Sequence, residues 1–249
     1  MDKNRETWEK WGEHDPYFAV VTSAEFRSLN LDAKAKEAFF ELGRKHVEEM
    51  WPEFEAISGP GFRPRKAVDY GCGVGRVLLP LAGICELAIG VDISRTMLEE
   101  AANNATALGL QNVRFQDVAE FEAGERETYD LVHTFIVIQH IPPPTGYGIM
   151  ERLLGRLSPG GIGMLHVTYE DSAPLLARMR SRLYRDVPGL HRLASRMRGL
   201  EDPFMPVYEY DLNKVRRLFE ANGCEVVKEK DTDHGFRGKM HYIRKAAKG

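Results

Sequence analysis

The sequence predicts an α/β domain, a mostly parallel sheet with helices on both faces. Three observations predict it. Ala67-Val68-Asp69-Tyr70 is a short apolar run carrying an acid near its end, and it opens into alternating glycines, Gly71, Gly73 and Gly75. A second run, Leu87-Ala88-Ile89-Gly90-Val91-Asp92, again ends in an acid about 20 residues downstream, the length of one strand-helix-strand unit. From Ala67 to His166 strand-like and helix-like patterns keep alternating. Glycines lack Cβ, so the backbone after the first strand can turn tightly and approach a ligand, and residues 71 to 75 read as a nucleotide-type cofactor loop.

The elements follow in order. Trp8, Trp11 and Phe18 staple an aromatic-rich opening to the body. Ala35, Ala38, Phe39, Leu42, Val47 and Met50 recur at helical spacing, which predicts an amphipathic helix over about 32 to 51, closed by Pro52 and then Ser58-Gly59-Pro60-Gly61. After the glycine loop, residues 77 to 82 begin a helix that packs back on the first strand. Ser94 is the N-cap of a helix over about 95 to 108, ended by Gly109. A strand near 113 to 115 leads to a short helix or loop at 118 to 121. Next come a strand over 131 to 138, a break at Pro142-Pro143-Pro144, a helix over about 146 to 157 and a strand over 163 to 168. Asp211 caps a helix with Leu212, Val215, Leu218 and Phe219 toward the sheet and Gly223 at its end. Residues 224 to 230 and 239 to 244 form a terminal hairpin.

Bulk properties bound the function. A chain of 249 residues and 28.2 kDa, 43% hydrophobic with a mean hydropathy of −0.37, can bury one sizeable core. No apolar run reaches the ~18 residues of a spanning helix, and the polar opening from Met1 to Glu6 has no secretory core, so the cytoplasm is the expected location. A net charge of −3 and a pI near 6.3 argue against a surface built throughout for nucleic acid. Cys72, Cys85 and Cys224 show no metal or disulfide spacing and read as small buried residues. The expected plan is an N-terminal helical extension over 1 to 60 and a cofactor domain over 61 to 249, with an insert at about 171 to 208. Sequence alone leaves a homodimer open.

The glycine spacing bears on the cofactor. A dinucleotide fingerprint needs glycine three places after Gly73, where Arg76 stands. The pattern acidic-x-Gly-x-Gly-x-Gly instead resembles the first motif of the class I S-adenosylmethionine-dependent methyltransferases. The resemblance continues over roughly the central 100 residues. Gly90-Val91-Asp92-Ile93-Ser94 is similar to the family's ribose-binding segment and Phe115-Gln116-Asp117-Val118 to its adenine-contacting one. Tyr129 to Phe135 resembles its fourth strand, and Leu157-Ser158-Pro159-Gly160-Gly161 the turn before its fifth.

The resemblance implies a Rossmann-like, seven-stranded mixed sheet of order 3-2-1-4-5-7-6 and S-adenosylmethionine as cofactor. It places Gly71, Gly73, Gly75 and Arg76 around the methionine part, with Asp69 toward its ammonium, directly or through water. Asp92 would accept from both ribose hydroxyls, Asp117 from the adenine amino group, the Val118 amide would donate to a ring nitrogen, and Ile93 would pack on the adenine. Phe135 and Gln139, at the end of the fourth strand, complete the cofactor set. His140, just past that strand, is the candidate catalytic residue, either a base for the acceptor's proton or a group that only holds its loop. His133 and His166 read as core residues. Tyr17, Tyr208, His234 and Arg237, and less specifically Tyr210, are candidates for the acceptor side.

The insert carries Arg178, Arg180, Arg182, Arg185, Arg192, Arg196 and Arg198 without lysine, among Leu175, Leu176, Met179, Leu183, Tyr184, Leu190 and Leu193. It is either a solvated helical pair or a lid over the acceptor, and in the second case its arginine forks would suit an anionic acceptor such as a nucleotide sugar, a phosphorylated glycan or a lipid-linked intermediate. No Asn-Pro-Pro-Tyr or Asp-Pro-Pro-Tyr follows the fourth strand and no histidine-carboxylate cluster demands a metal. The leading expectation is therefore methyl transfer to a hydroxyl of a sugar-like or secondary-metabolite small molecule, with an amino sugar or amine as runner-up. A nucleic-acid methyltransferase, in which the insert tracks phosphates, and a cofactor-binding protein without catalysis remain as alternatives from other classes.

Overall fold

A computed structural model describes residues 3–124, 127–187, 189–197 and 202–247, and of Lys3 and Arg192 the backbone only. Met1, Asp2 and Arg198 therefore lie outside the described residues, as does the Arg192 side chain. In chain order the elements are α1 (Lys3–His14), α2 (Pro16–Val20), α3 (Ala33–Ser58), β1 (Lys66–Tyr70), α4 (Leu78–Ala82), β2 (Leu87–Asp92), α5 (Arg95–Ala107), β3 (Val113–Asp117), α6 (Val118–Ala123) and β4 (Tyr129–Thr134). There follow α7 (Pro143–Gly155), β5 (Leu157–Asp171), α8 (Leu175–Asp186), α9 (Leu190–Arg196), α10 (Leu212–Ala221), β6 (Cys224–Asp233) and β7 (Phe236–Lys245).

The strands form one seven-stranded sheet of order β3-β2-β1-β4-β5-β7-β6. β1 pairs in parallel with β2 and β4, and β7 runs antiparallel between β5 and β6. Successive strand residues alternate between two cores, as a period of two requires. Val68, Ile89, Val91, Val132 and Leu165 pack with Phe121, Leu153 and Phe219 from α6, α7 and α10. Ala67, Ala88, Leu131 and Met164 pack with Met50, Phe54, Leu78 and Leu98 from α3, α4 and α5. The parallel order brings the carboxyl ends of β1, β2 and β4 together at one edge, where ligand crevices form in such sheets.

Four boundaries differ from the sequence expectation. Pro52 does not close its helix: α3 runs on to Ser58, with Gly59 at its end at φ 101°. A proline removes one hydrogen bond and crowds one turn. Burial of Met50 and Phe54, 1% and 0% exposed, outweighs that. β4 stops at Thr134 because Ile136 takes φ 59° and turns the chain off the sheet into a short 3-10 turn over Ile138–His140. A β-branched residue in that region is strained. The turn at 158 to 161 lies inside β5, as an irregularity between the Leu157 and Ile162 pairings with β4. β6 and β7 extend to the loop His234-Gly235.

Candidate active site

The glycine loop is shaped by what surrounds it. Gly71 and Gly73 have φ of 79° and 53°, where an L-residue is strained, and a Cβ on Gly73 would meet Val20 Cγ2 at 2.7 Å. A Cβ on Gly71 would run into the Val137 side chain. The loop is held from below by Asp92, whose carboxylate accepts from the amides of Gly73 and Ser94, both at 2.9 Å. Burial pushes the Asp92 carboxyl up to about 6, against the pull of those amides.

Asp69, at the end of β1, is 3% exposed and accepts the Nδ1–H of His133 at 2.7 Å. The other ring nitrogen of His133, Nε2, lies 3.1 Å from His46 Nε2 in a histidine–histidine hydrogen bond. Arg76 stands beside Asp69 with its Nε buried and without a hydrogen-bond partner. Burial lowers the pKa of the Arg76 guanidinium, and the Asp69 charge acts the other way.

These groups line a cavity of about 350 Å³. Asp69, Gly71, Gly73, Arg76, Asp92, Ile93 and Val118 form one wall. His133, Phe135, Val137, His140 and Ile141 form another, extended by Thr145, Ile149 and Arg152 of α7. Helix α1 closes the opening with Asn4, Arg5 and Trp8. Trp8 meets the His140 ring edge-on, centroids 5.3 Å apart.

Helix α1 is latched by Glu9, whose carboxylate accepts from the amides of Arg95 and Thr96 at 2.9 and 3.2 Å and from Thr96 Oγ1 at 2.9 Å. It sits on the N-terminus of α5, where the unpaired amides and the helix dipole favour an anion. Burial raises the Glu9 pKa, but bonds from Thr96, Ser94 and Arg95 outweigh it and hold the carboxyl below its ordinary value. Glu9→Ala is expected to free the cover: amide exchange in residues 3–14 rises and a bound cofactor dissociates about tenfold faster. Unchanged exchange would show that other contacts hold α1.

His140 is held at both ring nitrogens. Nδ1–H donates to the Pro206 carbonyl at 2.8 Å, which leaves Nε2 as acceptor for Gln139 Nε2 at 3.2 Å. His234 Nε2 in turn donates to Gln139 Oε1 at 3.3 Å. Burial drives the His140 pKa down to about 4, so the ring is neutral near pH 7. Tyr210 braces the same turn, its hydroxyl donating to Ile138 O at 3.0 Å and Ile141 O at 2.7 Å.

Several expected residues lie elsewhere. Tyr17 is 2% exposed and donates its hydroxyl to Glu100 and Asn104 at 2.5 and 2.9 Å, so it ties α2 to α5 instead of lining the cavity. Both Asp117 oxygens are engaged, one accepting from the Glu120 amide in a capping box and one from Arg95, and the side chain stands outside the cavity lining. Tyr208 contributes backbone, its amide donating to Gln139 O and its carbonyl accepting from Thr168, while its ring lies beneath Arg185. Arg237 pairs with Glu170 on the exposed face of the hairpin. His234 and Gln139 back His140 without lining the cavity. Gly75, at φ 92°, turns the chain toward α4 behind it. Among the described residues no insert arginine lines the cavity; its cover is α1.

The sequence reading missed Trp8 as a wall, Glu9 as a latch, and the α7 face Thr145, Ile149 and Arg152. The i, i+4, i+7 spacing of that face after the proline break was the available signal. His133 is buried as expected, yet its ring also lines the cavity. No group of three or more His, Cys, Asp or Glu that could hold a metal occurs among the described residues, nor is any described helix long and apolar enough to cross a membrane.

The chain is similar to solved methyltransferases along nearly its whole length. Against magnesium protoporphyrin IX methyltransferase from Synechocystis with bound SAH the TM-score is 0.64 at 17% identity, covering 97% of this chain and 98% of that one. Against an N-methyltransferase from Bradyrhizobium japonicum in complex with S-adenosyl-L-homocysteine it is 0.59 at 13% identity, covering 98% and 99%. A ubiquinone biosynthesis O-methyltransferase of Roseobacter denitrificans is 32% identical over 101 residues, 41% of this chain and 40% of the relative's length. Residues 43–229 match the methyltransferase domain family, most of the chain, from within α3 to β6. With the sheet order, the glycine loop and the carboxylate at the end of β2 in place, the chain belongs to the methyltransferase domain family.

Proposed function

We propose that this chain is an S-adenosylmethionine-dependent methyltransferase that acts on a small molecule, with a hydroxyl as the methyl acceptor. One observation carries the reading: a single cavity joins the Gly71–Gly73 loop and Asp92 to an apolar wall of Val137, Ile141 and Ile149, beneath α1. The residues fit the cofactor, because the backbone of Gly71 and Gly73, where a side chain would clash with Val137 and Val20, lines the cavity together with the half-buried Asp92. When bound, the cofactor supplies an electrophilic methyl group. The protein aligns the acceptor and excludes water.

Gly71 and Gly73 give close backbone approach, Asp92 takes the ribose hydroxyls, and Ile93 and Val118 face the base. Asp69, oriented by His133, takes the ammonium. Asp117 stands outside the cavity lining, one oxygen on the α6 cap and the other on Arg95, so the Val118 side of the loop is the part that meets the base. The acceptor lies against α7 and the chain after β4, where Arg152, paired with Glu122 at 2.9 Å, is one of three cavity-lining arginines, with Arg5 and Arg76. Trp8 excludes water above it. Calorimetric titration with S-adenosylmethionine and S-adenosylhomocysteine, NAD as control, tests the cofactor. Micromolar binding of the first two supports it, and binding of NAD alone overturns it.

His140 acts as a positioning residue for the post-β4 loop. Its Nε2 lone pair is occupied by Gln139, and a pKa near 4 makes it a weak base. His140→Ala is expected to lower kcat/KM about tenfold through a looser acceptor site, with the pH-rate profile between about pH 6 and 8 unchanged in shape. A wild-type acid limb with a midpoint near 6.5 that this variant abolishes would make His140 the base instead.

A further inference from the structure

Helices α8 and α9 leave an apolar stripe in water. On α8, Leu175, Leu176, Met179 and Leu183 are 68%, 82%, 60% and 51% exposed, and on α9 Leu193 and the adjoining Met197 are 59% and 82% exposed. At about 100° per residue the four α8 side chains fall within an arc of about 100°. No α8 residue is buried, so among the described residues the stripe belongs to no core.

Arginines flank it. In helical projection Arg178, Arg182 and Arg185 lie along one border of the arc and Arg180 beyond the other. Residues 175 to 197 hold six arginines, no lysine or glutamate and one aspartate, Asp186, in a chain whose net charge is −3. Asp186 already accepts from Arg185 Nε at 3.1 Å. The charge is thus concentrated against the sign of the whole molecule, on the element that exposes its leucines.

We propose that the α8 and α9 hairpin docks on an anionic lipid bilayer, its leucine and methionine stripe entering the headgroup-acyl boundary and its arginines meeting lipid phosphates. A basic amphipathic helix gains from both parts of that interface, with long cationic side chains reaching outward along their aliphatic stems. A nucleic acid would satisfy the arginines but leave the apolar stripe in water. A second copy of the chain would cover the stripe but set two arginine-rich borders together, where Asp186 is the one acid of residues 175 to 197.

The docked hairpin would bear directly on the cavity wall. Arg185 Nη1 donates to Val207 O at 3.3 Å, and the neighbouring Pro206 carbonyl accepts from His140. Arg182 also faces Glu209 at 3.8 Å. The bilayer contact and the His140 turn are therefore linked through residues 206 to 209. The proposal stands whatever the acceptor is.

Cosedimentation of the full chain with vesicles tests it, comparing phosphatidylcholine alone with phosphatidylcholine containing about one-third phosphatidylglycerol. Partition onto the anionic vesicles is expected, with loss of at least about tenfold in Leu176→Glu/Met179→Glu and in Arg180→Glu/Arg196→Glu. Cofactor affinity and melting temperature should stay at wild-type values in both variants, whose altered side chains are exposed. Absence of partition would overturn the proposal, as would equal partition of the Leu176→Glu/Met179→Glu variant. So would equally tight binding of a single-stranded RNA oligomer, or a lipid-free dimer that Leu176→Glu/Met179→Glu splits.

Discussion

Replacing Asp92 with alanine is expected to weaken S-adenosylmethionine binding at least about 100-fold, roughly 2.7 kcal/mol. Two losses add. The carboxylate that would take the ribose hydroxyls disappears, and charge-assisted bonds are each worth about 1.5–3 kcal/mol. The Gly73 amide also loses its acceptor at 2.9 Å, so a loop with φ of 53° at that residue is no longer held in its binding shape. The ionised form is the one that accepts, and the pKa of the free protein is pushed up to about 6. Affinity should then fall as pH drops below about 6 and level off above it. Calorimetry on wild type and variant between about pH 5 and 8 checks both statements. Near-wild-type binding by Asp92→Ala would remove the carboxylate from the cofactor site.

The second large effect is on the fold itself. Asp69→Ala leaves the His133 Nδ1–H without its 2.7 Å acceptor and Arg76 without the neighbouring negative charge, in a region where Asp69 and His133 are 3% and 1% exposed. Breaking a buried pair by removing one partner costs about 3–5 kcal/mol. For a chain of this size that is a fall in melting temperature of about 6–20 °C. Asp69→Asn separates the causes, since its amide oxygen can still accept from His133 while the charge beside Arg76 is gone. Calorimetric melts of the two variants should rank wild type, Asn, Ala. An alanine variant that melts with the wild type would show that the pair carries no stability.

The sheet was legible because its signals are local or carried by a motif. Glycines at 71, 73 and 75, short apolar runs ending in an acid in β1 and β2, and caps at Ser94 and Asp211 each depend on residues within one turn or one strand, and the observed caps accept from Met97 and from Asn213 and Lys214. Asp92, Gly71 and Gly73 line the cavity. Pro52 misled because a local breaker was judged without the burial of Met50 and Phe54 that overrides it. The end of β4 misled because 135 to 138 keep a strand-like apolar composition while Ile136 adopts a strained turn. Tyr17 and Asp117 carry the chemistry expected of site residues, but neighbours on α5 and α6 had already claimed their polar atoms.

The sequence by itself determined the order of strands and helices, the cofactor loop and the class of cofactor it suits. Tertiary structure alone decided which side chains meet: His133 with Asp69, 64 positions apart, His46 with His133, 87 apart, and the His140 ring with Pro206, 66 apart. It also decided that α1 covers the cavity while the arginine-rich hairpin faces outward. Backbone periodicity and turn chemistry are set by near neighbours. Cavity walls and buried hydrogen bonds are set by close packing of distant segments, which no local pattern records.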